Sequence, residues 1–307
     1  MSRQERIDKT GGASHGALGV LLLTAACVIP SFNASGKTCA QNDDCPAPFV
    51  CSPAVDGHRT CTVNSSAEPD AGGQTWWKPT PGTSWQIQLS ESIDTSVDAT
   101  VFAFDIERVS VQIADSVHQR GGRLICRIAG GVGALDDPEV AALPPTAVGN
   151  VAYGNTRWID LRAASVVSLM AARIDRSRGL GCDAVGTTWL DGYGADTGLG
   201  LTESDASQFL VTVSELAHSK DLSIGLDNSV ELAGTVVSSV DWAMNESCVK
   251  YTECDRLQPF TQAQKAVFHY ELGDASKVAS VCAETQSLGF STIIKNVDVG
   301  VWRAVCK

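Results

Sequence analysis

The sequence predicts an α/β protein, a (β/α)8 TIM-type barrel preceded by a signal peptide and a small disulfide-rich module. Three observations lead there. From about residue 76 onward, short strand-like runs alternate with amphipathic helical stretches, the rhythm of a parallel sheet with crossovers. Eight such runs fit within about 230 residues, a length that favours a barrel over an open sheet. Ahead of them, four closely spaced cysteines follow a positively headed apolar segment.

Arg3, Arg6 and Lys9 precede the apolar run Ala17–Ala26, which is followed by Cys27. The run is too short to span a bilayer and has the layout of a signal peptide over residues 1–26. Leu-Thr-Ala-Ala-Cys27 also resembles a bacterial lipobox, so lipidation at Cys27 and ordinary cleavage both stay open. Either way the expectation is a secreted, periplasmic or outer-surface protein whose membrane contact is limited to a lipid on Cys27. Export also accounts for the chain's 11 cysteines, which an oxidising compartment would pair.

Residues 37–62 carry Cys39, Cys45, Cys51 and Cys61 with C-x5-C-x5-C-x9-C spacing. With only Phe49, Val50 and Val55 to bury, this module cannot hold itself on a hydrophobic core. It must be stapled, most simply by two disulfides with three connectivities open. Residues 63–75 are rich in breakers and lack apolar periodicity, so they read as a linker. The barrel is placed at 76–307.

Within it the strand candidates are Trp85–Leu89, Thr100–Asp105, Leu124–Ile128, Ala184–Val185, Leu222–Leu226, Trp242–Asn245, Val267–Tyr270 and Thr292–Ile294. Between them, Phe209, Val213 and Leu216 share one helical face, as do Val166, Leu169, Met170 and Ile174. Thr202-Glu-Ser-Asp205 has capping-box spacing.

A net charge of −12 argues against nucleic acid, whose phosphates need clustered Lys and Arg. It keeps an exported protein soluble and would tolerate a polycationic sugar polymer. The five histidines form no metal spacing, His269 reads as core, and neither a Gly-x-Ser-x-Gly elbow nor a P-loop is present. The glycines of Gly130-Gly-Val-Gly133 lack the spacing of a nucleotide site. No cofactor and no metal are expected, and a monomer is.

The most informative stretch is Gly181-Cys-Asp-Ala-Val-Gly-Thr-Thr-Trp-Leu-Asp-Gly-Tyr193, a buried strand opening into a polar loop. It resembles the strand-four motif of the endo-α-1,4-polygalactosaminidase family, glycoside hydrolase family 114, which usually reads Gly-Cys-Asp-Gly-Val-Glu-Pro-Asp-Asn-Val-Asp-Gly-Tyr. Further signposts keep the family's order: Trp76-Trp-Lys-Pro-Thr-Pro-Gly82, Val101-Phe-Ala-Phe-Asp105, Trp158-Ile-Asp-Leu-Arg162, Asp241-Trp-Ala-Met-Asn-Glu-Ser-Cys248, Lys265-Ala-Val-Phe268 with Glu271, and Ile294-Lys-Asn296. The resemblance implies a glycoside hydrolase or binder of a galactosamine-containing polysaccharide. With it, the six barrel cysteines pair as Cys248–Cys254, Cys282–Cys306 and Cys126–Cys182.

Glycoside hydrolysis needs two carboxyl groups, an acid/base and a nucleophile or second base. The resemblance assigns the acid/base role to Glu246. It also places Thr188 where the family has a presumed catalytic Asp, Gly186 where it has Glu, and Arg127 where it often has Tyr. A neutral hydroxyl cannot stabilise an oxocarbenium ion as a carboxylate does, so impaired catalysis is expected. If activity survives, Asp227 or Asp191 must partner Glu246; an empty, non-catalytic scaffold is the remaining reading. Sugar contacts are expected from Asp105, Glu271, Thr188, Asn228, Tyr193 and Trp189. For Trp189 two readings stand: a stacking platform for a pyranose ring, or a plug that fills the volume left by the family's Glu-Pro-Asp side chains, beside the space vacated at Gly186, and closes the cleft.

Overall fold

The computed structural model describes residues 38–41, 44–45, 49–53, 58–63 and 76–306. The expected signal peptide, Cys27 and the expected linker beyond residue 63 lie outside the described residues. In the module, β1 (Phe49–Pro53) pairs antiparallel with β2 (Arg59–Val63), Cys51 opposite Cys61. The disulfides are Cys39–Cys51 and Cys45–Cys61, one of the three open connectivities.

The main unit is a curled sheet. Its parallel strands are β3 (Trp85–Ile87), β4 (Val101–Asp105), β5 (Arg123–Ala129), β9 (Ala184–Thr188), β10 (Ser223–Asp227), β11 (Trp242–Glu246), β12 (Val267–Leu272) and β13 (Ser291–Lys295), paired in that order. All eight fall on the expected runs. A ninth strand, β14 (Ala304–Val305), pairs antiparallel with β13. The backbone ladder does not close between β13 and β3. Side chains cross the gap instead: Trp85 Nε1 donates to the Ser291 carbonyl at 2.8 Å and Gln86 Nε2 to that of Val301 at 2.7 Å. Lys295 Nζ donates to Gln86 Oε1 at 3.1 Å.

Between β5 and β9 the chain inserts an antiparallel sheet that the strand pattern did not reveal. Its strands are β6 (Val132–Ala134), β7 (Val148–Tyr153) and β8 (Thr156–Ile159), ordered β6-β8-β7. The β9 strand also runs further than Val185. Its neighbours β5 and β10 continue alongside, pairing Thr187 with Ile128 and Leu226, so the polar Gly186-Thr-Thr188 is strand rather than loop.

Strand alternation separates two cores. Inward residues Trp85, Val101, Ile125, Ala184, Trp242, Met244, Phe268 and Ile293 fill the interior. Outward residues such as Phe102, Leu124, Val185 and Leu226 pack under the helices, including Val111–His118, Ala164–Leu180 and Glu203–His218. The interior is crowded by Trp242, whose ring lies over Gly225. A Cβ at Gly225 would sit 2.2 Å from that ring, so only glycine fits. Helix Glu203–His218 begins with the expected capping box: Thr202 Oγ1 accepts from the Asp205 amide, and Asp205 Oδ2 accepts from the Thr202 amide. The three barrel disulfides are Cys126–Cys182, Cys248–Cys254 and Cys282–Cys306.

Candidate active site

Among the inward residues at the C-terminal strand ends are Asp105, Arg127, Thr188, Asp227, Glu246 and Tyr270, on the face where barrels of this kind build active sites. Above them lies a cleft of ≈ 200 Å³ lined by Leu89, Asp105, Arg127, Thr188, Asp191, Asn228, Glu246 and Tyr270, with Tyr153 and Trp189 on one side.

Arg127 organises its floor. Its Nε donates to Asp227 Oδ2 at 2.7 Å and its Nη1 to Asp105 Oδ1 at 2.8 Å. The Arg127 side chain is 10% exposed, that of Asp227 1% and that of Asp105 42%. Burial pushes the Asp227 carboxyl above its ordinary range, and the pull of Arg127 does not fully offset it. For Arg127, burial acts to lower the pKa, but Asp227 and Asp105 outweigh it and hold the guanidinium cationic.

Glu246, half-buried at the end of β11, accepts a hydrogen bond on Oε2 from the Tyr270 hydroxyl at 3.0 Å. Burial first, and the charge of Glu246 next, push that hydroxyl well above its ordinary value, so it stays a donor. Asn228, at φ 60°, takes the Glu246 amide on Oδ1 at 2.8 Å and sends Nδ2 to Asp227 Oδ1 at 3.3 Å. It therefore ties the ends of β10 and β11 together. Thr188 Oγ1 lies 3.4 Å from the Ile128 carbonyl, which accepts from it.

Comparison with known proteins gives this arrangement its context. A model of glycoside-hydrolase family GH114 matches residues 66–307. The chain belongs to family GH114. The structure of Ega3 from Aspergillus fumigatus, in complex with galactosamine, is 32% identical, with a TM-score of 0.71 over 75% of this chain and 97% of that one. The glycoside hydrolase domain of PelA from Pseudomonas aeruginosa shares the fold at 12% identity, with a TM-score of 0.59 over 72% and 98% of the two chains. No curated protein matches the sequence.

Against the GH114 expectations, the cleft brings together Asp105, Thr188, Trp189, Asp191, Asn228 and Glu246. Three residues are placed elsewhere. Asp227 lies beneath the cleft, sealed by its ion pair. Glu271 faces the helical side of β12, where its carboxylate accepts from the amides of Val249 and Lys250, both at 3.2 Å, beside His269 at 3.3 Å. It anchors the loop that Cys248–Cys254 closes, and strand parity puts Tyr270 in the cleft instead. Tyr193 turns away as well, donating to Glu231 Oε2 at 3.1 Å. His269 is buried, as a core residue should be.

At Gly186 itself, Trp189 is not the residue that takes the vacated space. A Cβ at Gly186 would meet the Trp242 ring at 3.2 Å, with Arg127 and Asp227 both at 3.7 Å, so those side chains occupy the vacated space. Trp189 instead stacks on Tyr153, with ring centroids 5.0 Å apart and planes at 17°.

Sequence reasoning missed Tyr270 and Tyr153 and left Arg127 without a role. A signal existed for Arg127: it is the one charged residue inside the apolar run Leu124–Ile128, and a buried strand carries such a group only if it is paired.

Proposed function

We propose that this GH114 barrel binds a galactosamine-containing polysaccharide in the cleft and hydrolyses it poorly or not at all. The carrying observation is the Asp105–Arg127–Asp227 cluster. It removes Asp227 from reach and couples Asp105 to a fixed cation, in a site whose fourth strand offers the neutral Thr188. Glu246, held by Tyr270, keeps the geometry of a proton donor to a glycosidic oxygen, but its usual partner is absent. The galactosamine bound by Ega3, at 32% identity, supports the choice of sugar. On this reading the protein is exported, free or lipid-anchored through Cys27, and meets its polymer outside the cytoplasm.

A second reading has one observation in its favour. Asp191 is buried yet lines the cleft, so a rearranged pair of Glu246 and Asp191 would restore hydrolysis. Calorimetric titration of the purified chain with α-1,4-linked galactosamine oligomers, alongside an assay for released reducing ends, tests both. Saturable binding without release supports the proposal. Release abolished by both Glu246→Gln and Asp191→Asn supports the second reading, and no binding at all removes the polysaccharide from the account.

A further inference from the structure

The central cleft is small. At ≈ 200 Å³ it falls below the range of about 300–1,000 Å³ usual for small-molecule sites, too little for an extended polymer. Beside it lies a groove of ≈ 700 Å³, floored by β5 and walled by the β6–β8 insertion. Asp105, Arg127, Tyr153, Thr188 and Trp189 line both, so the two spaces are continuous across the aromatic pair.

That pair is built rather than incidental. Trp189 sits at φ 65°, a region a bulky side chain rarely adopts, and such strain persists where the surroundings impose it. The surroundings here are explicit. The amides of Gly130 and Gly131 donate to the Thr188 carbonyl at 2.9 and 3.3 Å. A Cβ at Gly131 would lie 1.8 Å from the Trp189 carbonyl oxygen, so the loop after β5 is pressed onto the Trp189 backbone. Trp158 meets the indole edge-on at 6.1 Å, and Tyr153 stacks on its face while remaining 44% exposed. The wall opposite is equally fixed: Arg173, 7% exposed, donates to the Ala129 carbonyl at 2.6 Å and to Asp137 Oδ2 at 3.0 Å. An aromatic ridge with rigid backing, flanked by carboxylates and guanidinium groups, suits a sugar chain. Ring faces take the C–H side of a pyranose, and the polar groups take its hydroxyl and amino substituents.

The geometry points to the groove as a distal subsite for the same polymer, in which Tyr153 and Trp189 carry the sugar residues that extend beyond the cleft. This rests on the polysaccharide-binding reading above and assigns to Tyr153 and to the β6–β8 insertion the recognition of chain length.

The test is a titration of the full chain with α-1,4-linked galactosamine oligomers of increasing length, for the wild type, Tyr153→Ala and Tyr153→Phe. The wild type is expected to gain affinity with length. Tyr153→Ala should weaken binding of the longest oligomer roughly tenfold and that of the shortest distinctly less, while Tyr153→Phe retains the wild-type profile. Unchanged circular dichroism of Tyr153→Ala, an exposed position, establishes that it is folded. A length dependence that survives in Tyr153→Ala, or an equal loss at every length, overturns the distal subsite and leaves binding in the cleft intact. Absence of binding by the wild type at every length overturns both.

Discussion

Arg127 Nε lies 2.7 Å from Asp227 Oδ2, at a depth where the carboxylate is 1% exposed. A hydrolase cleft needs a second carboxylate free to meet the sugar; here Arg127 ties up two of the carboxylates at the strand ends, Asp227 and Asp105. The ion pair gives the floor its rigidity and leaves Glu246, which accepts from the Tyr270 hydroxyl, as the proposed acid.

Breaking the pair from one side should therefore be costly. Arg127→Met leaves Asp227 buried without a counter-charge and is expected to lower unfolding free energy by about 3–5 kcal/mol. Arg127→Met combined with Asp227→Leu should recover most of that loss. Urea denaturation measures both, and a single-variant cost below about 1 kcal/mol would mean that water reaches the pair.

Thr188→Asp places a carboxylate on the inward face of β9, in the wall of the Glu246 cleft. If the neutral Thr188 is what limits hydrolysis at the proposed site, the variant should release reducing ends at a rate roughly 10²-fold or more above the wild type. Equal rates in the two proteins would show that the block lies elsewhere, with Arg127 as the next position to change.

Lys295 is fully buried, and burial, reinforced by Arg303, lowers its pKa from 10.5 to about 8. Between pH 8 and 10.5 the unfolded chain holds this proton and the folded chain does not. Its contribution to stability therefore rises with pH across that window. Lys295→Met should abolish that rise, seen as a flatter dependence of the denaturation midpoint on pH. An unchanged slope would mean that the ammonium keeps its charge, donating to Gln86 Oε1 and to the Gly300 carbonyl.

Asp241 works in the opposite direction. Burial would raise its pKa, but His218 foremost, with the Ile224 amide and the Trp76 indole, brings it below 3.8. Its stabilisation is present above pH 3.8 and is lost as pH falls through the lower folded value. Asp241→Asn should thus unfold less steeply in acid than the wild type, although less stable at neutral pH. Parallel acid transitions would contradict this.

The eight parallel strands were legible because a barrel strand buried on both faces leaves a compact apolar run in the sequence. That same burial hides which residue faces the cleft. In Val267–Leu272 both faces are buried as far as Glu271, so Glu271 looked like a cleft carboxylate while Tyr270 holds that place. Asp227 was legible as an inward group but not as a sealed one, since its partner Arg127 is distant in sequence and joins it only across β9. The β6–β8 insertion escaped notice because its strands are short, partly exposed and interrupted by a helical turn at Pro138–Ala141. Tyr153 could not be matched with Trp189 without it.

The most direct test of the account is reducing-end release from an α-1,4-linked galactosamine oligomer that the wild-type chain demonstrably binds. The account predicts saturable binding with release no faster than in a Glu246→Gln control. Turnover by the wild type that Glu246→Gln abolishes would contradict it, and would show that a carboxylate still reachable in the cleft has taken the place of the one missing at Thr188.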